Sequence, residues 1–350
     1  MAKSPEIHRQ VTLIDVANEA GVSRATASLV IRESPLVSSE TRKKVEAAIE
    51  KLGYVRNLTA ARLRAGQSRV VGLVVPNLSN PFFSRLLAGI EEILDEAGLA
   101  VLLANSHDDL GRQHDVLRRM REHGVNGVIV CPAAGTQENW LAENVLGPMP
   151  IVQVLRHVTD QLDYVGVDYG LGVRQTINYL VGLGHSQIVF AVHGAMHSAY
   201  RERVAGFSAA MEEHSLSGDS LLVMPMRLTD IPAATKSIFE FSPNCTATLC
   251  FNDVIAIGLS AGLYDLGLTV GRDHSLVGFD DVHNGEIIRP AITSVATHPT
   301  EIGRMAGIRM LERLQQPTEA ARRVVLKPEL MIRKSCTTAP AVLREPQSRR

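Results

Sequence analysis

The chain has 350 residues, more than one ordinary domain holds, and 45% hydrophobic against 21% charged residues exclude wholesale disorder. The formal net charge of -1 says nothing about nucleic acid by itself, but the charge is uneven: residues 1–68 hold 11 Lys+Arg against 7 Asp+Glu, and the rest holds 25 against 30. A basic N-terminal segment on an acidic body hints at a polyanion partner. Aromatic residues are 4% of the chain, so the core is aliphatic, which suits an α/β architecture. Cys131, Cys245, Cys250 and Cys336 include no CxxC pair. The first three fall in or near expected strands and read as small buried hydrophobes, in keeping with a reducing cytoplasm. The N-terminus is polar, and neither a signal peptide nor a membrane span is visible, so the expected compartment is the cytoplasm.

Residues 11–53 predict three short helices. Thr12 can cap the first, with Asp15 at the capping-box position and Leu13, Val16, Ala17 and Ala20 on one face. Gly21 ends it. Ser23 caps the second helix, which runs to about Ile31 with Ala27, Val30 and Ile31 facing inward, and Ser34-Pro35 breaks it. Ser38 or Ser39 caps the third, where Val45, Ala48, Ile49 and Leu52 repeat at helical spacing before Gly53. Two short helices around a tight turn holding Gly21 and Val22 form a helix-turn-helix pattern. Spacing alone leaves a chance helical hairpin open.

Residues 54–68 are polar and basic and read as a linker. From Val70 onward, strand-like runs alternate with amphipathic helices. The expected strands are RVVGLVVP, LAVLLAN, VNGVIVCP, PIVQVL, YVGVD, SQIVFAVHG, TATLCFN and HSLVGFD. The expected helices include Phe83–Glu96, Leu110–His123, Leu171–Gly182, Arg201–Glu213 and Val254–Leu266. This alternation implies doubly wound, mostly parallel sheets with right-handed crossovers. Ligands of such folds lie at the carboxyl ends of strands. Two lobes are expected, at about 70–160 and 161–290, with a final helix and strands returning to them. A frayed tail is expected from about Ser335 to Arg350.

The segment VTLIDVANEAGVSRATASLVIRESPLVSSETRKKVEAAIEKLGYVRNLTAARLRAG resembles the head of the LacI/GalR family of bacterial repressors. PNLSNPFF, LGHSQIVF, RERVAGF, FNDVIAIG and VGFDD follow in the family's order, so the resemblance spans roughly 11–332. It implies an α/β protein with a three-helix helix-turn-helix head (1–55), a hinge helix and linker (56–68), a two-lobed periplasmic-binding-protein-like core (69–334) and a tail (335–350).

On that resemblance, the second helix enters the major groove with Ser23, Arg24, Ala25, Ser28 and Leu29. Arg24 either reads a guanine edge bidentately or rests on a phosphate. Thr12 and Thr26 hold the DNA backbone. Leu29 stands where many members carry Arg, so the family's common half-site is in doubt; Leu29 either packs on a thymine methyl or belongs to the core. In the hinge, Asn57 to Arg64 resembles the segment that folds on the operator. Leu63 aligns with the intercalating leucine, Ala60 permits close approach, and Arg62 and Arg64 suit phosphates. The alternative is a passive linker.

For the core, the resemblance implies a small-molecule effector between the lobes, a sugar or sugar derivative, contacted by Phe82, Phe83, Arg203, Asn252 and Asp280. Phe82 and Phe83 could instead pack as helix-start hydrophobes. Arg201 reads as a surface neighbour, Asp253 and Asp281 as helix caps, and Asp168 as a cap or a cleft residue. Thr297 and His298 are weaker candidates, and His185 reads as a turn residue. No catalytic triad, metal-ligand spacing, phosphate loop or cofactor motif stands out. A transport binding protein would share the core but carry a signal peptide and no head. A Rossmann enzyme would need GxGxxG after the first strand. The expected assembly is a homodimer on a pseudo-palindromic operator, since the tail TTAPAVLREPQSRR lacks a leucine heptad for tetramers.

Overall fold

A computed structural model describes residues 11–31, 34–53, 68–138 and 149–340. The chain divides into two compact units, 1–68 and 69–350.

The first unit contains α1 (Leu13–Glu19), α2 (Arg24–Ile31) and α3 (Ser39–Leu52). Local chemistry sets each boundary. Thr12 Oγ1 accepts from Asp15 N–H at 3.4 Å while Asp15 Oδ2 accepts from Thr12 N–H at 2.8 Å, a reciprocal capping box. Ser23 Oγ accepts from Thr26 N–H at 3.0 Å and opens α2. Ser38 opens α3 in the same way, and Gly53 ends it at φ 60°, a left-handed conformation that costs glycine little. Val16, Ala17, Ala27, Val30, Val45 and Ala48 form the core between the helices. Ile31, expected inside, is half-buried.

The second unit holds two six-stranded sheets of matching topology. In chain order its elements are β1 (Val70–Val75), α4 (Phe82–Glu96), β2 (Ala100–Asn105), α5 (Leu110–Glu122), β3 (Gly127–Val130), β4 (Ile151–Val154), β5 (Asp163–Val167), α6 (Tyr169–Gly182), β6 (Ile188–Val192), α7 (Ser198–Glu213) and β7 (Leu221–Val223). A 3-10 turn at Leu228–Asp230 follows. Then come α8 (Ile231–Ala234), α9 (Lys236–Phe241), β8 (Ala247–Cys250), α10 (Asp253–Asp265), β9 (Ser275–Asp280), α11 (His283–Ile287), β10 (Thr293–Ala296), α12 (Pro299–Gln315), β11 (Arg323–Leu326) and β12 (Glu329–Met331). The first sheet is ordered β11-β5-β4-β3-β1-β2 and the second β12-β10-β9-β8-β6-β7. All pairings are parallel except β10 with β12. Central strands such as β3, β4 and β8 are buried along their whole length, as expected for strands covered on both faces.

The lobe boundary differs from the expected one at 160. β5 belongs to the first sheet, between β4 and the later β11, so the chain first changes lobe at the start of α6. It returns through α12, which packs on α4, β3, β4 and β5 of the first lobe. The α4–α12 contact is close. A Cβ on Gly89 would lie 2.0 Å from the Thr300 carbonyl oxygen, and one on Gly303 would lie 2.2 Å from the Leu86 carbonyl oxygen. Glycine here lets two helix backbones meet. Under α12, the buried Asp163 carboxylate accepts from Arg309 Nη2 at 3.0 Å, Arg313 Nε at 2.7 Å and Arg322 N–H at 2.8 Å.

The expected tail from Ser335 is likewise corrected. Ser335 Oγ accepts from Thr293 N–H at 2.8 Å, and Ala339 N–H donates to the Leu183 carbonyl at 2.9 Å. His185, expected as a turn residue, is buried between Thr246 Oγ1 at 2.8 Å and the Thr337 carbonyl at 2.9 Å. These bonds to the backbone hold 335–340 on the second lobe; residues beyond 340 lie outside the description.

Candidate effector cleft and DNA-binding head

The loops at the carboxyl ends of both sheets face one another across a cleft of about 270 Å³. This is where doubly wound sheets place ligands, at the points where strand order reverses. All five residues expected there line it: Phe82, Phe83, Arg203, Asn252 and Asp280. Phe82 and Phe83 meet edge to face at 5.4 Å, line the cleft and also belong to the hydrophobic core.

Arg203 enters from the first turns of α7 and is 4% exposed. Its guanidinium carbon sits 3.9 Å from the Tyr169 ring centre and 4.4 Å from those of Phe251 and Phe279. These ring faces attract the buried cation. Arg203 Nη1 donates to the Ala199 carbonyl at 3.3 Å, while Nε has no acceptor. Asp280 Oδ1 lies 3.7 Å from Arg203 Nη2, an ion pair longer than a hydrogen bond. Burial raises the Asp280 carboxyl to about 7, against the opposing pull of Arg203 and a hydrogen bond from Asn80. Asp280 and Asp281 carry φ values of 99° and 54°, two successive non-glycine residues in strained backbone at the cleft.

Asn252 caps α10: its Oδ1 accepts from Ile255 N–H at 3.0 Å, and its Nδ2 donates to His193 Nε2 at 3.1 Å. His193 and His197 were not foreseen in the cleft, although both follow β6 and His197 caps α7. Burial and the neighbouring Arg203 and Arg156 lower His193 to about 4. Burial, then Arg156 and Arg203, lower His197 to about 2, so both rings are neutral near pH 7. A second unforeseen pair is Arg156 with Asp108, 2.5 Å apart on the first lobe. Among the described residues, bonds between the lobes include Asn80 to Asp280, Arg85 Nη1 to the Asp281 carbonyl at 3.1 Å, His157 N–H to Ser198 Oγ at 2.9 Å and Tyr169 OH to the Leu155 carbonyl at 3.2 Å.

Several expected roles change. Asp253 is not the α10 cap; buried, it accepts from Val282 N–H at 2.7 Å and Ser294 Oγ at 2.6 Å and ties the β9 and β10 loops together. Asp281 is not a cap either, since Arg333 Nη1 holds it at 2.6 Å. Asp168 caps α6 through Leu171 N–H. It, Thr297 and His298 are not among the cleft-lining residues, and Arg201 is exposed.

In the head, Thr12, Ser23, Arg24 and Ala25 are exposed, and Thr26, Ser28 and Leu29 are half-buried. The Thr12 and Ser23 hydroxyls are already engaged in capping. Among the described residues, Leu29 is half-buried and stands outside the head's core cluster. Asn57, Ala60, Arg62, Leu63 and Arg64 lie outside the described residues.

A capped three-helix head followed by two like lobes around a polar cleft defines a class, the helix-turn-helix regulator with a periplasmic-binding-protein-like body. Residues 12–57 match the model of bacterial regulatory proteins, lacI family, and residues 177–336 match the periplasmic binding protein-like domain. The chain is 30% identical over 328 residues to the HTH-type transcriptional repressor PurR of Vibrio vulnificus, covering 92% of this chain and 97% of that one. It is 33% identical over 301 residues to the catabolite control protein A of Priestia megaterium, covering 85% and 90%. Among solved structures it is similar to the lac repressor dimer bound to operator and the anti-inducer ONPF, with TM-score 0.81, 26% identity and coverage of 94% and 100%. It is also similar to the transcriptional regulator CelR in complex with cellobiose, with TM-score 0.70, 27% identity and coverage of 93% and 100%. The chain belongs to the LacI family of bacterial regulatory proteins. It is a regulator of transcription rather than an enzyme. Among the described residues, no helix is long and apolar enough to cross a membrane.

Proposed function

We propose that the chain is a cytoplasmic, homodimeric repressor whose affinity for a pseudo-palindromic operator is controlled by a sugar or sugar derivative in the cleft. The observation that carries this reading is the Arg203–Asp280 pair: a buried cation and a carboxylate held just beyond hydrogen-bond distance, inside a cavity bordered by both lobes. A sugar hydroxyl set donates to the carboxylate and accepts from the guanidinium, completing bonds that these two groups do not make with each other. Support comes from relatives: the lac repressor is a dimer on operator, and CelR holds cellobiose.

On the DNA side, Arg24 reads a guanine edge and Leu29 packs on a thymine methyl, with Ser28 and Ala25 beside them. Asn57, Ala60 and Leu63 form the hinge contact, with Leu63 wedged into the minor groove. Short helices are marginal alone, so the hinge helix forms with DNA and a second hinge beside it, and lobe movement can undo that pairing. The test is operator titration by fluorescence anisotropy, using duplex selected by the protein from a random pool, together with a bending assay. A member of a sugar panel should change the operator affinity of the wild type, and Leu63→Ala should lose specific affinity and most of the bend. Unchanged affinity throughout the panel, or wild-type bending by Leu63→Ala, would overturn the corresponding half of the reading.

A further inference from the structure

We propose, resting on the reading of the cleft as the effector site, that its ligand is a sugar acid: a monosaccharide-sized polyol whose carboxylate sits against Arg203, His193 and His197. The cavity of about 270 Å³ falls just under the range of drug-sized pockets, which suits a single small ligand.

Most side-chain oxygens around the cleft are already engaged. Asn77 Oδ1 accepts from Ser79 N–H, Asn80 Oδ1 from Phe82 N–H and Asn252 Oδ1 from Ile255 N–H, at 2.9, 3.0 and 3.0 Å. Asp108 is closed by Arg156 and by Ala134 N–H. Asp280 keeps acceptor capacity.

Donors are left over. The Asn252 amide cannot turn round, because its oxygen holds the α10 cap, so its nitrogen donates to His193 Nε2. A neutral ring that accepts at Nε2 carries its proton on Nδ1, and His193 Nδ1 is buried without a partner. His197 accepts Tyr200 N–H at Nδ1, so its proton is on Nε2. Arg203 Nε–H is also buried without an acceptor. Each such donor left unmade costs about 1–3 kcal/mol. A hydroxyl can accept these bonds but brings a hydrogen that needs an acceptor of its own; a carboxylate is acceptor-only. Charge points the same way. Arg156 is neutralised at 2.5 Å, whereas Arg203 has its counter-charge 3.7 Å away.

Isothermal titration of the intact chain with D-glucuronate, D-galacturonate and D-gluconate, each against its neutral counterpart D-glucose, D-galactose or D-glucitol, tests this. At least one acid should bind about tenfold or more tightly than its counterpart, as expected for a charge-assisted pair. Asn252→Asp keeps an oxygen for the α10 cap but cannot donate to His193, and acid affinity should fall about tenfold or more with circular dichroism unchanged. His193→Phe, which fills the same space without a donor, should lose acid affinity likewise. Neutral sugars binding as tightly as their acids, no acid binding, or undiminished acid binding by His193→Phe would overturn the assignment. Neutral sugars that bind and shift operator affinity would leave the regulatory reading standing and sink the acid. An acid that binds without shifting operator affinity would do the reverse.

Discussion

Two buried carboxylates, Asp163 in the first lobe and Asp280 in the second, have opposite characters. Asp163 opens β5 and accepts three hydrogen bonds, two from arginines of α12 and one from Arg322 N–H. Burial pushes its pKa up, but those bonds and the charges of Arg309 and Arg313 outweigh it and leave the group below the ordinary carboxylate value. Asp280 closes β9 and faces Arg203 at 3.7 Å, and burial dominates, taking it to about 7. The comparison teaches that a buried charge with a complete set of partners holds the fold, while one with an incomplete set keeps bonding capacity of its own.

The largest effect should come from the complete cluster. Asp163→Ala removes the buried counter-charge of Arg309 and Arg313 and the acceptor of Arg322 N–H under α12, and urea unfolding should show a loss of about 3–5 kcal/mol. A loss below about 1 kcal/mol would mean that the cluster is screened as surface pairs are.

The second prediction concerns pH. Burial lets Asp280 keep its proton in the folded chain up to about 7, against 3.8 for an ordinary aspartate. Between those values the folded state holds a proton that the unfolded chain has lost, so its contribution makes stability fall as pH rises. Asp163 has the opposite sign, and its contribution is lost as pH falls below the ordinary carboxylate range. The groups that act on Asp280 are Arg203, Asn80, Tyr169 and Asp253. Asp280→Asn removes the first trend and keeps the second. The urea midpoint of the wild type should therefore drop relative to that of Asp280→Asn between pH 5 and pH 7.5. Parallel profiles would remove the distinction drawn between the two carboxylates.

Much of this was legible in the chain itself. The Thr12–Asp15 box, the Ser23 cap and the apolar spacing of α3 are local signals, and the structure repeats them. Eight strands stood out because buried parallel strands are continuous aliphatic runs. β7, β10, β11 and β12 did not: β7, β11 and β12 are short strands at sheet edges with side chains facing out, and β10 is a buried four-residue run, TSVA, broken by polar residues. The return of α12 to the first lobe is a long-range choice made by its contact with α4, which no local pattern carries. In the cleft, Arg203, Asn252 and Asp280 were reachable from strand ends and resemblance together. His193 and His197 carry no motif or metal spacing that marks them in the sequence; their position after β6, at the start of α7, is the available signal. Asp253 misled for a related reason: it follows a strand as caps do, yet Asn252 one residue earlier takes the cap and leaves Asp253 to bind two loops.

The central claim, that the incomplete Arg203–Asp280 pair is completed by an effector, is most directly tested by thermal shift of the wild type and Arg203→Met against sugars and sugar acids. A bound ligand raises the midpoint by mass action. The account predicts a rise for at least one compound in the wild type and none for that compound in Arg203→Met. Equal rises in both proteins would contradict it.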